Sequence, residues 1–164
     1  MVKDAIPVTP AVRFLKQQGV PFVPCPYRYE EKGGTTVAAR ELGVTEHAVV
    51  KTLVMEDERK NPLIVLMHGD YQVSTRALAR FLGVKSIRAC DPAVAQKHTR
   101  YQVGGTSPFG TRKPLPVYVE ETIFDLSLIY INGGKRGFLL AMPPGDLTRV
   151  LQPTPVQVGY QGAG

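Results

Sequence analysis

Three features of this 164-residue sequence place chemistry-bearing groups where packing alone does not ask for them. The first is Lys51. In the run VVKTLVM, Val49 to Met55, period-two alternation puts Lys51 on one strand face with Val49, Leu53 and Met55, and Val50, Thr52 and Val54 on the other. An ammonium in an apolar stripe either reaches solvent at an edge or meets an anion, because burying it unpaired is costly. Lys51 therefore reads either as a strand-end lysine reaching water or as the floor of a pocket that holds a phosphate or carboxylate. The second feature is GGTSPFG, Gly104 to Gly110, between Tyr101 and the cations Arg112 and Lys113. Paired glycines let a ligand approach backbone N–H and C=O groups closely, and Pro108 stiffens the loop; a plain turn is the alternative. The loop is neither GxGxxG nor a Walker sequence and gives no support to ordinary nucleotide binding. The third is NGGKRG, Asn132 to Gly137, which reads most simply as a tight hairpin turn kept wet by Lys135 and Arg136.

Other chemistries find little support. Ser107 has no nucleophile-elbow context, and His47, His68 and His98 are too scattered to name a base. The two cysteines, Cys25 and Cys90, match no CxxC or Cys/His spacing and have no evident activating neighbour. They read as inert, reduced thiols, which implies the cytoplasm and no metal. The acidic runs EDE and EE read as exposed loops rather than a paired catalytic site.

The net charge is +6, and it is concentrated: from Arg76 to Lys113 eight cations (Arg76, Arg80, Lys85, Arg88, Lys97, Arg100, Arg112, Lys113) face one anion, Asp91. The segment is either a solvated basic face or a surface for phosphates.

The elements that must position these groups follow from caps and periodicity. Thr9 and Pro10 open a helix that turns Val12 and Leu15 inward and closes at Gly19; a second helix spans Thr36 to Leu42 before Gly43. Val49 to Met55 and Leu63 to Met67 are strands joined by EDERKN and are expected to pair antiparallel. Ser74 to Leu82 is a helix with Leu78, Phe81 and Leu82 on its buried side and Gly83 as its stop. A strand at Ser86 to Cys90 precedes a short helix capped by Asp91 and Pro92. Further strands are expected at Val117 to Glu120, Leu128 to Ile131 and Phe138 to Ala141, then a helix from near Asp146 burying Leu147, Val150 and Leu151. AARELGV and LARFLGV, Ala38 to Val44 and Leu78 to Val84, read as two helices ended by left-handed glycines rather than as a duplication. With 43% apolar and 21% charged residues, the chain is expected to form one soluble α/β domain over residues 1–164: a mixed, partly barrel-like sheet with short helices around it. No run approaches a membrane span, and MVKDAIPVTP carries no secretory h-region.

Taken in order, VVKTLV at Val49 to Val54, ACDPAVAQKHTRYQVGGTSPFG at Ala89 to Gly110 and IYINGGKRG at Ile129 to Gly137 resemble the YbaK/EbsC family and the related editing domain inserted in bacterial prolyl-tRNA synthetases. The similarity runs from about Pro10 to Leu151. It implies a trans-editing deacylase that cleaves the ester of mischarged tRNA, typically proline tRNA carrying Cys, Ala or a similar small residue, without a cofactor. By the resemblance Lys51 engages the 3′-terminal adenosine end, and Gly104 to Pro108 matches a GxxxP pattern whose backbone positions the ester. Lys51, Gly104 and Gly105 are then the catalytic positions. Tyr27 (with Tyr29 as its rival), Thr106, Ser107, Pro108, Gly133 and Gly134 line the substrate site. In such relatives the thiol of the substrate's own cysteine attacks its ester, so no protein nucleophile is needed; hydrolysis by water is the other route. The implied partners are the acceptor end of mischarged tRNA and an aminoacyl-tRNA synthetase, with no membrane and no DNA. Two departures bear on amino-acid choice: Leu139 stands where relatives have an acidic residue, and YRYEEKGGTT replaces their YEHD-like stretch. A less polar pocket favours Ala or another small aliphatic group over Cys. A non-catalytic RNA- or nucleotide-binding module and a small-molecule esterase are the competing readings.

Overall fold

The computed structural model describes residues 6–162; the ends of the expected 1–164 domain, including Met1 to Ala5 of the leader reading, lie outside the described residues. The elements, in chain order, are α1 (Pro10–Gln17), β1 (Val23–Pro26), α2 (Gly34–Leu42), β2 (Val49–Asp57), β3 (Pro62–His68), β4 (Tyr71–Val73), α3 (Thr75–Leu82), β5 (Ile87–Ala89), α4 (Pro92–Thr99), β6 (Val117–Glu120), β7 (Ile129–Lys135), β8 (Phe138–Met142), α5 (Gly145–Leu151), β9 (Thr154–Val156) and β10 (Gly159–Gln161). Short 3₁₀ turns at Glu46–Ala48 and Glu121–Asp125 complete them.

The main sheet is mixed, in the order β1-β8-β7-β2-β3-β6-β9, with β5 also lying against β2. The β2–β3 hairpin is antiparallel as expected, from Val50 opposite His68 to Glu56 opposite Pro62. Its turn is fixed by the Asp57 carboxylate, which accepts from the N–H groups of Arg59 and Asn61, both at 2.9 Å. β7 and β2, β3 and β6, and β6 and β9 pair in parallel. The sheet edges β1 and β9 carry Pro24, Pro26 and Pro155, which lack an N–H and blunt further pairing. β4 and β10 form a separate two-stranded ribbon.

Helices cover three apolar clusters. α1 packs Ala11, Val12 and Leu15 onto one with Leu66, Ile131 and Phe138; α3 packs Leu78 and Ala79 onto another with Val65 and Met67; α2 packs Ala38 and Ala39 onto Val49 and Leu139. The repeated helix ends are the same local device: Gly43 and Gly83 adopt φ of 68° and 70°, and Val44 and Val84 each donate back to the helix at 3.0 Å.

Several expectations are corrected. Phe81 is 55% exposed, whereas Leu78 is fully buried. At about 100° per residue Leu82 and Ala79 lie to one side of Leu78 and Phe81 to the other, and the core is on the first side. Asp91 makes no side-chain cap, so Pro92 alone marks the start of α4. α2 begins at Gly34 instead of Thr36. In α5 only Leu147 is fully buried; Val150 and Leu151 are half-buried against the core. NGGKRG is not simply a turn: β7 continues to Lys135 with a bulge between Asn132 and Lys135, leaving Arg136 and Gly137 to reverse the chain.

That bulge is tied to α1. The buried hydroxyl of Thr9 accepts from the N–H of Val12 at 3.1 Å and donates to the carbonyl of Gly133 at 2.6 Å. Thr9→Ala removes the helix cap and one buried bond together, and is expected to cost about 2 kcal/mol in urea unfolding. A loss below about 0.5 kcal/mol would show that the α1–β7 tie contributes little.

Candidate active site

The site begins with a fork beside β2. On one side β2 pairs continuously with β3; on the other it pairs with β7 only at Val49 and Val50, and with β5 only from Met55 to Asp57. Lys51, Thr52 and Leu53 have no strand partner there, and they are the half-exposed residues of an otherwise buried run from Val49 to Glu56. Backbone direction follows from the flanks. Val49 C=O accepts from Gly69 on the β3 side and Val54 C=O from Cys90 on the β5 side. Alternation therefore points the N–H and C=O of Thr52 into the fork. The Thr52 hydroxyl is also buried with no hydrogen-bond partner among the described residues. The fork opens into a cleft of about 530 Å³, lined among others by Tyr27, Tyr29, Ala38, Ala95, Gly104 and Thr106.

Lys51 lies half-buried in this cleft, with Nζ donating to Gly69 C=O at 3.5 Å. Burial pulls its pKa down, while the charges of Glu46 and Asp70 act to raise it. One long hydrogen bond leaves most of the donor capacity of the ammonium for an anionic group entering the cleft.

The glycine loop is held over the fork from behind by the β7–β8 hairpin. Asn132 Nδ2 donates to Gly104 C=O at 3.1 Å, and Arg136 Nε to Val103 C=O at 2.9 Å. The Arg136 guanidinium also lies 5.4 Å from the centre of the Tyr29 ring. Arg136 is thus a structural clamp, which corrects the reading of it as a solubilising turn residue. Close neighbours account for the glycines: a Cβ on Gly105 would sit 2.9 Å from the backbone nitrogen of Arg136, and one on Gly104, at φ +93°, 2.7 Å from the Tyr29 hydroxyl. Gly105 N–H is used by Gln102 C=O at 2.8 Å, whereas those of Gly104 and Thr106 take no backbone acceptor among the described residues.

Of the residues singled out from sequence, Tyr27, Lys51, Gly104 and Thr106 line one cleft, with Tyr29 beside them. Gly105, Ser107, Pro108, Gly133 and Gly134 stand behind it. Ser107 is fully buried and its hydroxyl accepts from Phe109 N–H at 3.2 Å. Gly133 fits against the Phe138 ring and Gly134 against Tyr101. Thr52, Asn132 and Arg136 were not singled out as site residues, because strand pairing decides their importance and composition does not.

The histidines are not all scattered. His47 and His68 stack with ring centroids 3.7 Å apart, beside Asp70, whose carboxylate is 2.9 Å from His47 Nδ1. Hairpin register carries the signal: with Val50 opposite His68, extending the pairing brings residue 47 to the level of Tyr71. His68 Nδ1 bonds to His47 C=O at 2.8 Å and Nε2 to the Thr122 hydroxyl at 2.7 Å, so both ring nitrogens are engaged. Burial lowers the pKa of His68 and favours the neutral ring. Although His47, His68 and Asp70 offer atoms within 4.8 Å, the two rings are only 7° from parallel, so their lone pairs lie in separate planes and do not converge on one ion.

Neither thiol is activated. Burial, aided by Glu56, pushes Cys90 up to about 12, and burial raises Cys25. Glu56 itself is buried rather than loop-exposed, and its hydrogen bond from Arg88 holds its carboxyl below the usual range.

A family model described as the aminoacyl-tRNA editing domain matches residues 30–150. A relative from Enterococcus faecalis, named "Putative Cys-tRNA(Pro)/Cys-tRNA(Cys) deacylase EbsC", is 28% identical over 137 residues, covering 83% of this chain and 84% of that protein. A proline–tRNA ligase of Thermodesulfovibrio yellowstonii is 26% identical over 95 residues, 57% of this chain but 15% of the ligase. The fold is shared with a solved structure titled "Crystal structure of a putative trans-editing enzyme for prolyl tRNA synthetase": TM-score 0.82, 21% identity, covering 94% of this chain and 99% of that one. It is likewise shared with "Crystal structure of hypothetical protein APE2540", with TM-score 0.84, 22% identity and coverage of 92% and 99%.

Arg136→Ala removes the clamp while leaving the bulge. Amide hydrogen exchange at Gly105, whose N–H is bonded to Gln102 C=O, is expected to accelerate about tenfold or more, with little change in global stability. Unchanged exchange would mean that Asn132 and the loop's own turns hold it without Arg136.

Proposed function

This chain belongs to the aminoacyl-tRNA editing domain family, and from that membership we propose that it is a trans-acting deacylase of mischarged proline tRNA carrying a small amino acid. The observation that carries the reading is the convergence of Lys51, the open edge of β2 and the glycine loop on one cleft.

The inventory suits an ester that is already activated. Such a substrate needs orientation and hydrogen-bond donors aimed at the developing oxyanion. In this reading the Lys51 ammonium holds the 3′-terminal nucleotide, and the N–H groups of Gly104 and Thr106 face the ester carbonyl. Thr52 presents its backbone N–H and C=O to the aminoacyl portion. The inert thiol of Cys90 and the engaged hydroxyl of Ser107 argue against a protein nucleophile. That favours attack by water or by the substrate's own thiol. In the second route the sulfur bonds to the carbonyl carbon, the ester C–O bond breaks, and the ribose hydroxyl leaves with the proton.

The amino-acid wall is apolar: Leu139 is 4% exposed and Ala38 2%, and both line the cleft with Val49. A methyl or thiol side chain is accepted there, whereas a hydroxyl would lose its water without a partner. The proposed order is therefore Ala or Cys ahead of Ser. The site of action is the cytoplasm, beside a prolyl-tRNA synthetase.

Incubation with Ala-, Cys- and Ser-charged proline tRNA tests this. Release well above the spontaneous rate is expected for Ala or Cys, and release at the spontaneous rate for all three would overturn the proposal. Salt-sensitive binding without release would instead identify a binding module, and equal turnover of simple amino-acid esters a small-molecule esterase. Lys51→Ala is expected to reduce release about 100-fold in a folded protein. Full activity of that variant would refute the role given to Lys51.

A further inference from the structure

The basic segment carries more charge than the cleft uses. All eight of its cations are exposed, and among the described residues only Arg88 forms an ion pair. Three of the others gather in one place: Arg76, Arg80 and Lys85 line a groove of about 390 Å³ between α3 and the start of β5, with Thr75, Ser86 and Ile87. Arg76 and Arg80 are one helical turn apart, where like charges repel. Neither guanidinium has a hydrogen-bond acceptor among the described residues. The nearby carboxylate is Glu58, whose Oε1 accepts from the N–H groups of Lys85 and Ser86 at 3.0 and 3.3 Å. One carboxylate against three cations leaves the groove positive.

The groove is coupled to the cleft by β5. Ile87 forms its wall and Ala89, two residues along the same strand, forms a wall of the cleft. Ile87 stands opposite Asp57, five residues along β2 from Thr52 in the fork, about 17 Å of strand. Phosphates recur about every 3.4 Å of axis along a helical strand. An RNA strand whose 3′ ester lies in the fork therefore brings backbone phosphates to the groove within about five nucleotides when stacked, and fewer when its 3′ end is extended. Arginine guanidinium groups suit that contact, because their planar donors match phosphate oxygens in pairs.

We propose that the α3–β5 groove is a second substrate contact, separate from the ester site, which takes phosphodiester groups of the tRNA acceptor strand. This rests on the tRNA reading above.

Uncharged proline tRNA, titrated against the wild-type protein and the Arg76→Ala/Arg80→Ala/Lys85→Ala variant over a range of salt, tests the groove without requiring catalysis. The variant is expected to bind at least about tenfold more weakly at low salt. Its slope of log K against log salt should be shallower by about 2, the value for three lost phosphate contacts. Arg76→Lys/Arg80→Lys, which keeps the charges, should recover most of the binding. Unchanged affinity and slope would overturn the proposal.

A second comparison uses deacylation of full-length aminoacyl-tRNA and of 3′-aminoacyl-adenosine, which carries no phosphodiester group to place in the groove. The loss of kcat/KM should be at least about tenfold greater on the full-length substrate, and should lie in KM. Equal losses on both would place the defect in the cleft and overturn the groove. Failure of the wild-type protein to deacylate anything would instead bring down the editing reading, while the uncharged-tRNA comparison would still decide the groove.

Discussion

The rest of the site depends on one interruption of pairing: β2 changes neighbour, from β7 to β5, and between them four residues, Lys51 to Val54, have no strand beside them, the last bonded only to Cys90 just past β5. Backbone N–H and C=O groups in a sheet are normally satisfied by the next strand. Where the neighbours diverge, the same groups are left as an open edge, held in place by the continuous β2–β3 ladder on the other side. The fork needs little special sequence to form. It follows from β7 entering parallel to β2 at one end and β5 antiparallel at the other.

What the fork lacks, the flanking elements supply. Lys51 adds a cation whose burial is only partly offset by nearby carboxylates. The glycine loop adds close backbone, kept in place by Asn132 and Arg136. The β7 bulge that carries this clamp is in turn pinned to the cap of α1 through Thr9. A chain of polar contacts, buried at Thr9 and exposed at Asn132 and Arg136, thus runs from the first helix to the lip of the cleft. Such an arrangement suits a reaction limited by placement rather than by nucleophile strength.

How much of this was legible in the sequence depended on how local the physics was. Caps at Thr9, Gly43 and Gly83 act within one turn, and the helices they bound lie where the pattern puts them. The β2–β3 hairpin has alternation and an Asp-containing turn, and it too is as expected. β1, β4, β9 and β10 are only three or four residues long, and β1 and β9 contain proline, so no periodicity identifies them. Family-specific motifs singled out Lys51, Tyr27 and the glycine loop, which the fold gathers into one cleft. Thr52 and Arg136 were invisible because their roles come from strands distant in the chain. The His47–His68 stack was hidden in the same way, although hairpin register would have exposed it.

The central claim is that the open edge of β2, together with the glycine loop, is where the aminoacyl end of the substrate binds. The most direct test is an NMR titration of backbone amides with a hydrolysis-resistant 3′-aminoacylamino-adenosine. Saturable shifts at Thr52, Gly104 and Thr106 are predicted, with the β4–β10 ribbon unperturbed. Saturable shifts confined to other parts of the molecule, with the fork silent, would contradict the account.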